Sequence, residues 1–399
     1  MFVFLAVALT IYGLINFYVV RRGAQALAAH PTARWVFLAL FVVLALAYPL
    51  GRVFMALGKS SLSPLFVKVG SFHMVVMLYG FLSVVFVDLI RLLNALIPFL
   101  PKGLAARPGP TGLVLFLAVA GVTALTIVGG AINAVRPRTV DLDLNIPKKA
   151  GGMERLTIVV ASDLHLGTLV GRSRLEKVIE RINALDPDVI FLPGDIVDET
   201  VTAKDEMEFS TIMMQLRAPL GVFAVPGNHE FYSGLERNLA CLRACGIKVL
   251  EDEAVSVAGA FVLVGRRDPS SFTPKEPRLL IRDILAMHGF DDRLPIILLD
   301  HQPAHLEEAS QAGADLQLSG HTHAGQIFPL DIINRLVWEL NWGYLRKGNT
   351  QYYVTSGVGT WGPPVRTGSR PEIVRIRLTF DGGRGPGLAR GSTSAVLAR

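Results

Sequence analysis

The sequence predicts an α/β domain preceded by a transmembrane region of about four helices, and three observations carry that prediction. Residues 1–134 hold four long apolar segments, whereas the rest of the 399-residue chain has the composition of a soluble domain. Five shorter apolar runs in the second part each stop at a cluster of Asp, Asn, His and Gly. Between the two parts stands a strictly alternating stretch, Val140-Asp141-Leu142-Asp143-Leu144-Asn145-Ile146.

The long segments are residues 1–20, 35–57, 70–97 and 111–134. Each reaches the roughly 20 residues that an α-helix needs to cross a bilayer. The first lacks a basic start and a small-residue cleavage site, so it is read as a span rather than a cleaved signal peptide. Pro49, Gly51 and Arg52 suggest that the second bends or ends early, and Pro98 closes the third, because proline cannot continue a helix ladder. Asp88 and Arg91 lie three apart on one helix face and are read as an ion pair at the membrane surface rather than an intramembrane site.

Four spans place both termini on one side. Arg21, Arg22, Arg34, Lys102 and Arg107 lie opposite the second domain, and Lys59, Lys68, Arg136, Arg138, Lys148 and Lys149 lie on its own side. Five against six is no asymmetry, so the positive-inside rule assigns no side. The expectation is an integral protein of the plasma (inner) membrane, the side of the second domain undetermined. A net charge of +6 favours anionic headgroups as the nearest partner. No basic stripe with interleaved aromatics is present, so nucleic acid is not indicated. Protein partners are unassigned. Cys241 and Cys245, the only cysteines, fall four apart in a predicted helix and give no disulfide framework.

Residues 135–152 are expected to form a linker and a first strand, since strict alternation marks a half-exposed strand. Lys148-Lys149-Ala150-Gly151-Gly152 then turns the chain into the main domain, residues 153–380. The tail 381–399, rich in Gly, Arg, Ser and Ala, is expected to be disordered.

Within the domain, Leu156–Ser162 leads into Asp163-Leu164-His165, and Val189–Pro193 into Gly194-Asp195-Ile196-Val197-Asp198. Val222–Pro226 leads into Gly227-Asn228-His229-Glu230, and Ile296–Leu299 into Asp300-His301-Gln302-Pro303. The fifth run ends in Gly320-His321-Thr322-His323-Ala324-Gly325. Continuous apolar runs of this length read as strands buried on both faces. In open α/β sheets ligands bind beyond the carboxyl ends of such strands, so these loops are expected on one rim. Strand alternation would put His321 and His323 on one side, able to face one centre together. The donors are nitrogen and oxygen without thiolate. That set suits Mn, Fe, Zn, Co or Ni, and it is large enough for two cations sharing a carboxylate. His30, His73, His288 and His305 receive no role. Arg172, Arg266, Arg267 and Arg366 are available to bind a phosphate, but each alone is read as a solvated surface cation.

The order Asp-x-His, Gly-Asp-x-x-Asp, Gly-Asn-His-Glu, His, Gly-His-x-His resembles the calcineurin-like metallophosphoesterases. The later run Tyr353-Val354-Thr355-Ser356-Gly357-Val358-Gly359-Thr360-Trp361-Gly362-Pro363-Pro364, together with the N-terminal spans, resembles their membrane-anchored subgroup. The resemblance covers roughly residues 154–380 and implies a four-layer α/β/β/α sandwich. It implies two divalent ions, with Mn the first candidate. It implies that Asp163, His165 and His323 hold the first ion, that Asn228, His301 and His321 hold the second, and that Asp195 bridges them. His229 is then the group beside the departing oxygen, oriented by Asp198. Glu199 stands where protein phosphatases often carry Arg, which argues against phosphoprotein substrates. The expected activity is hydrolysis of a phosphodiester or pyrophosphate bond in a phosphate-ester substrate, with a lipid-linked one such as a nucleotide–acylsugar favoured by the membrane region. A general phosphomonoesterase or cyclic-nucleotide phosphodiesterase is the first alternative, and a metal-stabilised membrane sensor the second. The stretches 266–287 and 327–350 are expected to cap the site.

Overall fold

Each long apolar segment becomes one helix. The computed structural model describes residues 2–58, 62–101, 111–198, 203–271 and 278–383. The expectations for Lys59, Lys102, Arg107, Glu199 and most of the tail therefore lie outside the described residues. The chain divides into two compact units, Met1–Ile132 with Gly362–Val365, and Asn133–Trp361 with Arg366–Arg399.

In the first unit, α1 covers Phe2–Ala26, α2 Pro31–Ala56, α3 Ser63–Leu96, and α4 is the helix Thr111–Ala134. All four are long and apolar enough to cross a membrane. They carry large exposed apolar side chains, among them Leu14, Leu40, Leu93 and Leu125. Such surfaces are costly in water and cost nothing in lipid. α2 runs through Pro49 to Ala56 instead of ending early. The reason is close packing: a Cβ on Gly51 would meet the backbone of Val67, and one on Gly70 would meet that of Tyr48. Small residues let two backbones approach, and that packing offsets the bond that proline cannot donate. Asp88 pairs first with α1, accepting the Tyr18 hydroxyl at 2.6 Å and meeting Arg22 at 2.5 Å, while Arg91 stands at 4.0 Å. The sequence neighbour is thus the more distant partner. His73 Nε2 meets Asn16 Oδ1 at 2.8 Å, so two polar side chains in apolar helices partner one another.

The second unit is built on two six-stranded sheets. Its strands are β1 (Arg138–Ile146), β2 (Arg155–Val160), β3 (Val189–Pro193), β4 (Val222–Val225), β5 (Lys248–Val249) and β6 (Glu253–Val257), then β7 (Phe261–Gly265), β8 (Ile296–Leu299), β9 (Leu316–Ser319), β10 (Gly343–Lys347), β11 (Thr350–Val354) and β12 (Glu372–Phe380). One sheet has the order β1-β12-β2-β3-β4-β5, the other β10-β11-β9-β8-β7-β6. The alternating stretch expected to enter the sheet does so as β1, which pairs in parallel with β12.

Alternation along each strand sorts the core into layers. Leu156, Ile158 and Val160 of β2 and Ile297 and Leu299 of β8 share one cluster between the sheets. Val159 faces the opposite way, onto α5 (Arg172–Asn183), α6 (Ala203–Met213) and α8 (Leu235–Ala244). Ile296 and Leu298 face onto α9 (Ile281–Met287) and α10 (Leu306–Gln311). Helices cover both outer faces, so the unit is a four-layer α/β/β/α sandwich. The pairs β2–β3, β3–β4, β7–β8 and β8–β9 are parallel. Parallel strands send their C-terminal loops to a common edge.

Glu372, at the start of β12, joins the two sheets. Its buried carboxylate accepts from Trp342 Nε1 at 2.9 Å, the Tyr353 hydroxyl at 3.0 Å and the Ser356 amide at 3.1 Å, and pairs with Arg138 at 3.1 Å. Removing one member of a buried charged network leaves its partners unsatisfied. Glu372→Ala is expected to cost about 3–5 kcal/mol, read from denaturant unfolding of the full-length protein in detergent. An unchanged midpoint would contradict the role given to this carboxylate.

Candidate metal centre

The loops that follow five strands supply the polar residues of the rim. Asp163 and His165 follow β2, Asp195 and Asp198 follow β3, and His301 follows β8. Asn228 and His229 open the short helix α7 (Asn228–Ser233) after β4, and His321 and His323 follow β9. Asp163, His165, Asp195, His321 and His323 all have left-handed backbone, with φ between 49° and 71°. That region costs an ordinary residue roughly 1–2 kcal/mol, and Asp and His tolerate it better than most. Five such residues at one rim mark a place where the backbone is bent to aim side chains. Close packing supports the bends: a Cβ on Gly194 would run into the His301 ring, and one on Gly357 would meet Asp163 at 2.7 Å.

All nine sequence-predicted residues come together. Asp163, His165 and His323 form one group of potential ligand atoms, and Asp195, His301 and His321 form another. His165 Nε2 and His323 Nε2 lie 3.0 Å apart, and His323 Nε2 is 3.5 Å from Asp163 Oδ1. In the other group, His301 Nε2 is 3.2 Å from Asp195 Oδ2. Asn228 Oδ1 stands 3.3 Å from His301 Nε2 and 2.9 Å from His321 Nδ1. Asp195 also lies 3.8 Å from His165 Nε2, so its carboxylate faces both groups. His229 Nδ1 meets Asp198 Oδ1 at 2.5 Å, and the His229 ring stands edge-on to His165 at 4.7 Å.

One expectation is corrected. His321 and His323 do not face one centre. β9 ends at Ser319, and left-handed turns at both histidines send His321 to the Asn228 side and His323 to the Asp163 side. Strand alternation does not apply past the end of a strand.

Electrostatics divide the imidazoles. Burial and the charge of His301 push His321 down to about 3. Burial, His165 and Arg366 push His323 well below its ordinary value. Both rings are thereby held neutral, the form that binds metal. Burial alone would lower His301, but Asp195 and Asp163 outweigh it and raise it well above 6.5. Burial likewise opposes charge on His229, yet the Asp198 bond and the charges of Asp195, Asp198 and Glu230 raise its pKa. Asp198 is held low in spite of burial by its bonds to His165 and His229.

Three supporting residues had no assigned role in the sequence reading. Glu230 is fully buried, and its carboxylate accepts the amides of Ile196 at 2.7 Å, Val197 at 2.8 Å, Gly227 at 2.7 Å and Asp195 at 3.1 Å. It thus clamps the loop of Asp195 to the loop of Asn228. Its place three residues after Gly227 is the capping-box spacing, the one signal that could have exposed it. Arg366, expected on the surface, is completely buried and donates to His323 Nδ1 at 3.1 Å and to the Gly359 carbonyl at 2.8 Å. Arg266 is also buried rather than solvated. It pairs with Asp300 at 3.5 Å and Glu308 at 2.6 Å, bracing the loop that carries His301. A buried guanidinium needs partners from distant segments, which a linear reading does not display.

The donor set fits two divalent cations. Buried carboxylates at Asp163 and Asp195 call for positive charge, and the atoms of each group lie within 4.8 Å of one another.

The comparisons agree with this geometry. Residues 156–325 match the family model described as calcineurin-like phosphoesterase. A transmembrane protein with metallophosphoesterase domain from Danio rerio is 34% identical over 268 residues, covering 64% of this chain and 61% of that protein. An uncharacterized metallophosphoesterase from Aquifex aeolicus is 36% identical, covering 57% of this chain and 86% of that protein. One from Campylobacter jejuni is 28% identical over 387 residues, covering 94% of this chain and 98% of that protein. The match spans about three fifths of the length of the first of these relatives. The chain belongs to the calcineurin-like metallophosphoesterase family.

Because Glu230 grips both candidate ligand loops, Glu230→Gln is expected to weaken divalent-ion binding about 10–100-fold. Calorimetric titration of the metal-stripped protein in detergent measures this, and an unchanged affinity would contradict the clamp.

Proposed function

We propose that this chain is a membrane-anchored, dinuclear metal-dependent phosphoesterase that hydrolyses a phosphodiester or pyrophosphate bond in a lipid-linked substrate. The observation that carries the reading is Asp195, whose carboxylate faces two groups of nitrogen and oxygen donors at one rim. In this proposal Asp163, His165 and His323 hold one ion, Asn228, His301 and His321 hold the other, and Asp195 is shared. Mn is the proposed metal, with Fe, Zn, Co and Ni as the others that such donors accept. When bound, the two cations supply positive charge that polarises the phosphoryl group and lowers the pKa of the attacking water.

The chain's own residues do the rest. Asp198 holds the Nδ1 side of His229, which leaves Nε2 to carry a proton towards the departing oxygen. The raised pKa favours the protonated ring that such a role needs. An Asp–His pair of this kind is not needed to hold metal, which favours an enzyme over a sensor. Four apolar helices on the same chain supply the second half of the reading: tethering concentrates the site on substrates in the same bilayer. The plasma membrane is the proposed location.

His229→Ala is expected to lower kcat about 10²–10⁴-fold while leaving the metal content unchanged. Since Asp198 raises the His229 pKa, the protonated ring is lost as pH rises through that raised value. Asp198→Asn should therefore move the alkaline limb of the kcat profile to lower pH, and a limb that stays put would remove His229 from the proton-transfer role. The substrate class is tested with the full-length protein in mixed micelles, comparing a polyprenyl pyrophosphate with bis(p-nitrophenyl) phosphate. A higher kcat/KM for the lipid is expected. Ready turnover of the soluble ester with none of the lipid would overturn the lipid-linked reading.

A further inference from the structure

The helix α11 (Leu330–Val337) is amphipathic the wrong way round for a water-soluble surface. A surface helix normally turns its apolar stripe inward. Here Asp331 and Asn334 face the protein. Asn334 Nδ2 donates to the Thr322 carbonyl at 2.6 Å, between the two rim histidines, and Asp331 packs against Gly325. The apolar residues face out: Leu336 is 83% exposed and Val337 65%, and Phe328, Leu330, Ile332 and Ile333 are exposed beside them. No residue of the helix is buried.

We infer that α11 is a lipid-docking element that lies in the bilayer interface and holds the metal rim at the membrane surface. Three features choose lipid over a protein partner. First, the chain itself brings the bilayer. α4, long and apolar enough to cross a membrane, ends at Ala134, and β1 begins at Arg138. Second, the flanking residues include interfacial types: Trp338 is half-buried and Tyr344 is exposed, and such amphipathic rings concentrate at headgroup level. Third, Arg335 on the helix and Arg346 after it are exposed cations, which complement anionic headgroups.

The position beside the site gives the docking a use. The Trp338 ring lies 5.3 Å from that of His321, and Thr322 Oγ1 donates to the Asn341 carbonyl at 2.6 Å. The segment that carries the exposed apolar face is thus tied to the loop of His321 and His323. A phosphate borne on a lipid would meet the rim without leaving the interface. That use in substrate capture rests on the lipid-linked reading proposed above; the docking itself does not.

The test uses full-length protein in vesicles of phosphatidylethanolamine and phosphatidylglycerol. A nitroxide is attached through Leu336→Cys in a Cys241→Ser, Cys245→Ser background, with Arg293→Cys, an exposed residue remote in sequence, as the control. Greater relaxation by oxygen than by a water-soluble nickel chelate at position 336, and the reverse at 293, is the expected result. A label at 336 as open to nickel as that at 293 would overturn the docking. So would spin–spin broadening with shielding from both reagents, which would assign the face to a second copy of the chain. In parallel, Ile333→Asp with Leu336→Asp should cut turnover of a vesicle-borne polyprenyl pyrophosphate at least about tenfold while bis(p-nitrophenyl) phosphate is hydrolysed as before. Equal loss on both substrates would overturn the capture role. An oxygen-favoured label on a parent protein that ignores the lipid would leave the docking standing and overturn the lipid-linked reading instead.

Discussion

The burial of Asp163 and Asp195 at one rim is the constraint on which the rest of the second unit depends. Two carboxylates withdrawn from water repel each other and lose their hydration. The fold can tolerate them only by gathering positive charge and donors around them. The amides of His321 and His229 are turned onto Asp163 and Asp195 at 3.0 and 2.9 Å. His301, fully buried at the same rim, is driven towards its charged form by the same carboxylates. Protons and divalent cations compete for such a ring, so ion binding at this rim is expected to be acid-sensitive.

That constraint explains the unusual backbone. A side chain projecting regularly from a strand would point into a sheet face, where the core cluster already lies. Left-handed turns after β2, β3 and β9 carry the chain off the strand direction at the points where ligands are needed. Glycine at 194 and 357 then lets neighbouring segments close over the bends. Glu230 and Arg366 hold the result in place from behind. Such a site is assembled by long-range contacts between the loops of different strands.

The legibility of the sequence follows from this division. Apolar runs ending in Asp, Asn and His were readable because a strand's burial and its C-terminal loop are local properties. The parallel order then brings those loops to one edge. The divergence of His321 and His323 was not readable, because alternation stops where β9 stops. Arg366 and Arg266 looked like surface residues because their partners come from other loops. Pro49 looked like a bend or an early end of the second span because the packing of Gly51 and Gly70 that carries α2 past it involves a second helix. The outward apolar face of α11 was hidden too, since a short apolar cluster in a presumed cap carries no sign of which way it faces.

The central claim is that the rim is a shared two-ion site with Asp195 as its common member. The direct measurement is the divalent metal content of the full-length protein purified in detergent, beside that of Asp195→Ala and Asn228→Ala. The account predicts about two ions per chain, loss of both in Asp195→Ala, and loss of one in Asn228→Ala. A single ion in the parent protein, or an Asp195→Ala variant that keeps both, would contradict it.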